Sequence, residues 1–233
     1  MISSCFFAPD GAVRRLTLAQ QPDTTFDQMI TKIVAESHRI LPVSFYARRT
    51  LTVARDLLGK HLVREISGTI RSGRIIEVEA YVGPHDRACH ASKGRTKRTE
   101  VLFRSPGVAY VYLIYGMYHC LNVVTERLDY PAAVLIRAVE DETGLIDGPG
   151  RVCRAYGIDL TLNYHDLTTG QKVWLEDRGK RPPRSQIGSF PRIGVDYAGE
   201  WAARPWRFRI ASVRRKTRKA QVTPKRKRIF LES

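Results

Sequence analysis

The sequence of 233 residues lacks any run of about twenty apolar residues, so no membrane-spanning helix is expected. Its four cysteines (Cys5, Cys89, Cys120 and Cys153) are scattered and form no C-x-x-C pair. This spacing argues against a structural zinc site or a disulfide framework and favours a reducing compartment. No segment repeats at a fixed period, which excludes a solenoid. The first residues also lack the basic and apolar regions of a secretory signal.

Acidic residues are scarce: 23 Asp and Glu stand against 39 Lys and Arg, which gives a net charge of +16. Such an excess indicates a polyanionic partner, either nucleic acid or an anionic membrane surface. Residues 211–233 hold nine basic residues and one acidic residue, and the rest of the chain still carries half of the excess. We therefore expect the folded body itself to have a positive face.

The pattern divides the chain into three parts: an extension at 1–40, a domain at 41–212 and a basic tail at 213–233. We expect the extension to be poorly packed and the tail, which has no apolar periodicity, to be disordered. The tail could add phosphate contacts, or its run Pro224–Arg228 could be a nuclear address. A bacterial cytoplasm, at the nucleoid, is the favoured location, with the nucleus as the alternative in a eukaryote.

Turn residues and apolar periodicity predict an α+β domain with a mostly antiparallel sheet. The predicted helices are 51–58, capped by Thr50, and a short one that begins at Gly148-Pro149-Gly150; the predicted strands are 73–82, two strands within 108–124, 132–139, 192–195 and 206–210. The break at Tyr115-Gly116-Met117 indicates a tight turn between the two strands of 108–124.

Two carboxylates and an aromatic ring share one face of the strand 73–82, since Glu77, Glu79 and Tyr81 alternate with apolar residues. A carboxylate among apolar side chains can act as a general base, but a salt-bridged strand residue fits Glu79 equally well. Glu77 is interpreted as structural. Arg137 lies within an apolar strand and needs an anionic partner, because an unpaired buried charge is very costly. Glu79 is the natural candidate, and the pair could hold a water molecule.

Four tyrosines crowd into residues 110–118, beside a basic loop at 93–98. Tyr110 and Tyr112 share a strand face, and Tyr115 should protrude at the turn. Aromatic side chains beside basic segments suit stacking on extruded bases, and a protruding residue can fill the gap that a flipped base leaves. A tyrosine-rich core strand is the alternative, and it is preferred for Tyr110 and Tyr118.

Several segments, in order along the chain, resemble the alkyladenine (3-methyladenine) DNA glycosylase family over residues 41–210. The matching strings are Leu51–Lys60, Glu77–Pro84 with His90, Tyr110–Tyr118, Asn122, Leu135–Arg137, Gly148–Gly150, Arg192–Val195 and Gly199–Trp201. The resemblance implies one α+β domain around a curved antiparallel sheet with a protruding β-hairpin. It also implies a monomer that acts on double-stranded DNA containing damaged purines, with no metal, no cofactor and no membrane partner.

The resemblance further implies a role for each matching catalytic residue. Glu79 would activate the hydrolytic water, Arg137 would help to position it, and Tyr115 would be the wedge that intercalates into the DNA. The reaction implied is hydrolysis of the N-glycosidic bond of 3-methyladenine, 7-methylguanine, and also of hypoxanthine or ethenoadenine, which leaves an abasic site. No lysine lies in the matching strings that carry the pocket residues, so strand cleavage through a Schiff base is not expected.

The base itself would be bound by five further residues. Tyr81 would stack on one face of the flipped base, with His90 and Tyr112 on the other. His90 would also hydrogen-bond the edge of the base. Asn122 would discriminate against the exocyclic amine of guanine, and Ile193 would be an aliphatic pocket residue.

Two other functions are consistent with parts of the sequence. A metal-dependent nuclease could use Glu77, Glu79, His85, Asp86 and His90, although their spacing matches no established ligand signature. A non-catalytic protein could bind nucleic acid with its tyrosines alone. A chelator separates the nuclease from the glycosylase, and Glu79→Gln separates the binding protein from the glycosylase.

Overall fold

The computed structural model describes residues 39–211, and one antiparallel sheet of ten strands dominates that part of the chain. The strands are β1 (Arg39–Ile40), β2 (His61–Ile66), β3 (Thr69–Tyr81), β4 (Ala109–Ile114), β5 (Tyr118–Thr125), β6 (Ala132–Asp141), β7 (Gly144–Asp147), β8 (Val173–Asp177), β9 (Ile187–Phe190) and β10 (Arg207–Ile210). They follow the order β1-β8-β2-β3-β6-β5-β4, while β10 pairs with β3 and β9, and β7 pairs with β6. The sheet curls into a half-barrel, which confirms the predicted α+β class and curved antiparallel sheet.

The long strand β3 joins the two parts of the sheet. Its first half pairs with β2, its second half pairs with β10, and β6 runs along its other edge. The β3–β6 register shifts on both sides of Glu77, as in a β-bulge, and such an irregularity re-aims side chains. Ile75 and Ile76 both lie in the main core, whereas the sequence pattern placed them on opposite faces. Beyond the shift the predicted alternation holds, with Val78 and Ala80 in that core.

Three α-helices are described: α1 (Val43–Tyr46), α2 (Thr50–Leu57) and α3 (Pro149–Ala155). Helix α2 buries Thr50, Val53, Ala54 and Leu57, which is the spacing of one helix face. The predicted cap is wrong, because Thr50 is the first helical residue and its hydroxyl does not cap the helix. Instead, the backbone N–H and the hydroxyl of Thr50 both donate to Glu126, at 2.7 and 2.8 Å. A distant carboxylate therefore satisfies the helix terminus.

Most of the predicted strands and helices are confirmed. Strands β3, β4, β5, β6 and β10 and helices α2 and α3 lie where the pattern placed them, within a few residues. The predicted strand at 192–195 is wrong, since this segment is an irregular loop between β9 and β10. Strands β2, β7, β8 and β9 were not predicted. They are short or lack a clear polar–apolar alternation.

The predicted N-terminal extension and basic tail lie outside the described residues, except for Arg39 and Ile40, which pair with β8. Within residues 39–211 no helix has both the length and the apolar character needed to cross a membrane.

Candidate active site

A cavity of about 400 Å³ opens where β3, β4, β5 and β6 meet the loop between β9 and β10. This volume lies within the range of about 300–1,000 Å³ that is typical of small-molecule sites. All eight residues that the sequence singled out line the cavity: Glu79, Tyr81, His90, Tyr112, Tyr115, Asn122, Arg137 and Ile193. They come from four strands (β3, β4, β5 and β6), the turn between β4 and β5, the segment at His90 and the β9–β10 loop, so the fold, and not the local sequence, brings them together.

Glu79 is fully buried at the wall of this cavity and is held by three donors. The Tyr81 hydroxyl donates to Oε2 at 2.9 Å, the Ile193 backbone N–H donates to Oε1 at 2.8 Å, and Arg137 Nη1 lies 3.3 Å from Oε1. Burial raises the pKa of the Glu79 carboxyl above its usual range, while Arg137, Ile193 and Tyr81 act in the opposite direction. A buried carboxylate with fixed donors is suited to accept a proton from water.

Arg137 has the anionic partner that its apolar strand requires. Its guanidinium lies between two carboxylates of β3, with Nε 3.4 Å from Glu77 and Nη1 3.3 Å from Glu79. On β6, Ala133, Leu135 and Arg137 face the cavity, and Val134 and Ile136 between them belong to the core. The alternation of this strand therefore delivers one charged group to the site and keeps the rest of that face apolar.

Aromatic rings line the cavity on the side of β4. The His90 ring lies 4.8 Å from Tyr112 between centroids, and Tyr112 lies 5.1 Å from Tyr110. His90 Nδ1 is also hydrogen-bonded to the Tyr110 hydroxyl at 2.8 Å. Burial, followed by the charges of Arg98 and Lys93, lowers the pKa of His90 to about 4. His90 is thus a neutral ring near pH 7, held in place by Tyr110.

The loop between β9 and β10 is fixed by a buried ion pair that the sequence analysis did not anticipate. The Arg192 guanidinium binds both oxygens of Asp86, at 2.6 and 2.8 Å, and donates to the Ala80 carbonyl at 2.9 Å. The same guanidinium lies 4.8 Å from the centre of the Tyr81 ring. Arg192 therefore positions the neighbouring Ile193 N–H against Glu79 and supports the Tyr81 ring.

The side chains proposed as nuclease ligands are not assembled as a ligand cluster. Among residues 39–211 no three His, Cys, Asp or Glu side chains are grouped so that they could hold a metal ion. Both oxygens of Asp86 bind Arg192, and His90 is bonded to Tyr110. His85 packs near Trp201, with ring centroids 6.0 Å apart.

Asn122 and Ile193 lie at different depths of the cavity. Asn122 is buried on β5, opposite Tyr110, and its Nδ2 donates to the Tyr110 carbonyl at 3.2 Å. Ile193 is 53% exposed and lies at the opening. One residue thus contributes a polar group to the interior, and the other contributes an apolar edge.

The turn between β4 and β5 projects Tyr115 away from the protein. Tyr115 and Gly116 both have positive φ, 53° and 67°, as the central residues of a type I′ hairpin turn do. Tyr115 is 81% exposed, although it also borders the cavity. An exposed aromatic ring on a tight turn at the mouth of a cavity is placed to reach a neighbouring molecule.

Tyr110 and Arg98 were not among the predicted site residues. Tyr110 was interpreted as a core residue; it is indeed buried, but its hydroxyl orients His90. Arg98 belongs to the basic loop 93–98, lines the cavity, and has its guanidinium 5.1 Å from the centre of the Tyr112 ring. The shared face of Tyr110 and Tyr112 was the signal for the first residue, and the basic loop was the signal for the second.

The fold and this cavity agree with the comparison against known proteins. A family model described as methylpurine-DNA glycosylase matches residues 44–214. The chain belongs to the methylpurine-DNA glycosylase family.

Relatives that match over most of the chain are named "Putative 3-methyladenine DNA glycosylase". The one from Myxococcus xanthus is 56% identical over 173 residues, 72% of this chain and 88% of the relative. The one from Methanocella arvoryzae is 51% identical over 185 residues, 72% and 91% of the two chains. The one from Legionella pneumophila strain Lens is 51% identical over 175 residues, 74% and 94%.

Proposed function

We propose that the protein excises damaged purines from double-stranded DNA by hydrolysing the N-glycosidic bond. The observation that carries the proposal is Glu79, a buried carboxylate with three fixed donors at the wall of a cavity that is also lined by aromatic rings. A base inside a duplex is out of reach of such a cavity, so the target nucleotide has to be flipped out of the stack.

The flipped base would stack between Tyr81 on one side and His90 with Tyr112 on the other. Base–aromatic stacking contributes about 1–3 kcal/mol per base. Tyr115, exposed on its hairpin, would fill the space that the base leaves in the duplex. Asn122 in the interior would read the base edge, and Ile193 would border the pocket.

In the chemical step, Glu79 and Arg137 would hold a water molecule below the anomeric carbon of the sugar. Glu79 would take a proton from this water, and its remaining negative charge would stabilise the oxocarbenium-like transition state. Alkylation at N3 or N7 makes the purine cationic, which makes it a better leaving group and a better partner for aromatic faces. 3-Methyladenine and 7-methylguanine are therefore the primary expected substrates, with hypoxanthine and ethenoadenine as neutral ones.

A purely hydrolytic reaction is favoured over one with strand cleavage, because no lysine is found among the residues that line the described cavity. A Schiff base to the sugar would need such an amine. The product would then be an intact strand with an abasic site. We further propose that the protein works as a monomer.

The test is a panel of duplexes, each with one defined lesion, incubated with the protein and then divided. One half is treated with alkali, which cuts abasic sites, and the other half is left untreated. The proposal predicts cleavage at the lesion only after alkali, and no effect of EDTA. Cleavage without alkali would indicate a lyase, loss of activity in EDTA would indicate the nuclease, and an intact panel would leave only a binding function.

A further inference from the structure

A second buried carboxylate, Glu77, lies two residues before Glu79 and points to the same side of β3. Its side chain is 2% exposed and contacts three arginines. Arg207 Nη1 lies 2.9 Å from Oε1, Arg209 Nη1 lies 2.7 Å from Oε2, and Arg137 Nε lies 3.4 Å from Oε1. An excess of positive charge therefore surrounds a carboxylate that has no place in the proposed reaction.

The two shorter contacts come from β10 and follow from its register. Arg207 is paired with Glu79 and Arg209 with Glu77 across the β3–β10 ladder. Residues two apart on a strand share a face, so both guanidinium groups reach the carboxylate side of β3. Arg207 Nε also donates to the Pro191 carbonyl at 2.8 Å, which orients its guanidinium.

Arg137 is the group that the two carboxylates share, at nearly equal distances of 3.4 and 3.3 Å. If Glu77 lacked other partners, it would draw Arg137 away from Glu79, because a buried carboxylate without a counter-charge is very costly. We propose that Arg207 and Arg209 are positioning residues that neutralise Glu77 and thereby keep Arg137 paired with Glu79. The inference rests on the proposed function of Glu79.

The charges that face Glu79 decide in which direction its pKa changes when Arg207 or Arg209 is lost. Arg137 from β6, and Arg192 and the Ile193 N–H from the loop before β10, face Glu79 with positive charge or a donor. The other groups that face it are Tyr81 on its own strand, Tyr112 on β4 and Cys120 on β5. Glu77 is the nearby group of the same charge, and its negative charge raises the pKa of Glu79. Loss of Arg207 or Arg209 would expose Glu79 to more of that charge and to less of Arg137.

The experiment measures the single-turnover excision rate against pH, on a duplex with one lesion that the wild type cleaves. The acid limb is the low-pH side of this profile, where the rate falls as Glu79 becomes protonated. Arg207→Met and Arg209→Met together are expected to move the acid limb upward by about one pH unit, so that the rate at a fixed pH on this limb falls about tenfold. Glu77→Gln is expected to move the limb downward, because Arg137 then serves Glu79 alone. The triple variant should have its limb at the position of Glu77→Gln, because Arg207 and Arg209 act through the charge of Glu77.

Two variants separate this role from a structural one. Arg71→Met removes an arginine of β3 that pairs with a different buried carboxylate, Asp141, at 2.8 Å, and should leave the acid limb in place. Arg209→Lys keeps the positive charge and should also leave the acid limb in place. This variant replaces the methionine variants in the test if they do not fold.

Two results would overturn the inference: an unshifted limb in the double methionine variant, or a shift that Glu77→Gln does not reverse. A wild type without excision on any lesion would instead refute the proposed function.

Discussion

At the residue scale, the site depends on the balance that sets the protonation of Glu79. Burial raises the pKa of this carboxyl, and the largest opposing influence is the charge of Arg137. A base must be ionised to act, so activity should fall as the pH drops through a pKa that is higher than that of an ordinary glutamate.

Replacing Arg137 should therefore change the pH dependence as well as the rate. In Arg137→Met the pKa of Glu79 rises further, and the acid limb of the single-turnover rate should move upward by about one unit or more. Arg137→Lys retains the charge and should shift the limb less. A reduced rate with an unmoved limb would mean that Arg137 does not act on the protonation of Glu79.

His90 provides a test of stability at the same scale. Its pKa is about 4 in the folded protein, below the usual 6.5, so between these values the unfolded chain binds more protons. The stability that His90 contributes is therefore present above pH about 6.5 and is lost as the pH falls toward 4. His90→Gln should flatten the pH dependence of the unfolding free energy in this window by up to about 3 kcal/mol. Parallel curves for the two proteins in denaturant titrations would contradict this.

Single residues also show how far the sequence could be interpreted. Arg137 was predictable as an ion-pair partner, because an arginine in an apolar strand has few alternatives. Arg192 was not, because the loop that carries it looked like a strand and its partner Asp86 is 106 residues away along the chain. Such long-range pairs leave no local periodicity in a sequence.

At the element scale, we propose for the β4–β5 hairpin a role separate from that of the cavity. Tyr115→Ala should leave the protein stable but lower the fraction of flipped base, since nothing would fill the gap in the duplex. The fluorescence of ethenoadenine in the bound duplex would measure this fraction. Ile70→Ala, on the exposed β2–β3 hairpin, is the matched control and should flip the base as the wild type does. Equal fluorescence for Tyr115→Ala and the wild type would refute the role of Tyr115 as a wedge.

The strands that form the cavity were the predictable ones, for a physical reason. The second half of β3 alternates polar and apolar residues because one face borders the cavity and the other borders the core. β6 is a long apolar run from Ala132 to Val139, broken only by Arg137, and such a run also indicates a strand. β8 has no such alternation, since residues from Val173 to Glu176 are buried on both faces. The register shift in β3 was also not predictable, because two consecutive isoleucines, Ile75 and Ile76, fit the opposite faces of a regular strand equally well.

At the scale of the whole molecule, the excess of basic residues indicates an electrostatic contribution to DNA affinity. Residues 214–233, outside the described part, hold nine of the 39 basic residues. Deleting them should weaken DNA binding at moderate salt and reduce its salt dependence, because fewer phosphates are neutralised. Single-turnover excision at saturating protein should be nearly unchanged. A large loss of that rate would show that the tail contributes to the catalytic step.

The most direct test of the account is the single-turnover excision rate of Glu79→Gln beside its affinity for the same lesion-containing duplex. Glutamine keeps the size of the side chain but cannot take a proton from water. The account predicts a rate loss of about 10²–10⁴-fold with binding retained, in line with the usual contribution of a general base. Excision at the wild-type rate by Glu79→Gln would contradict it.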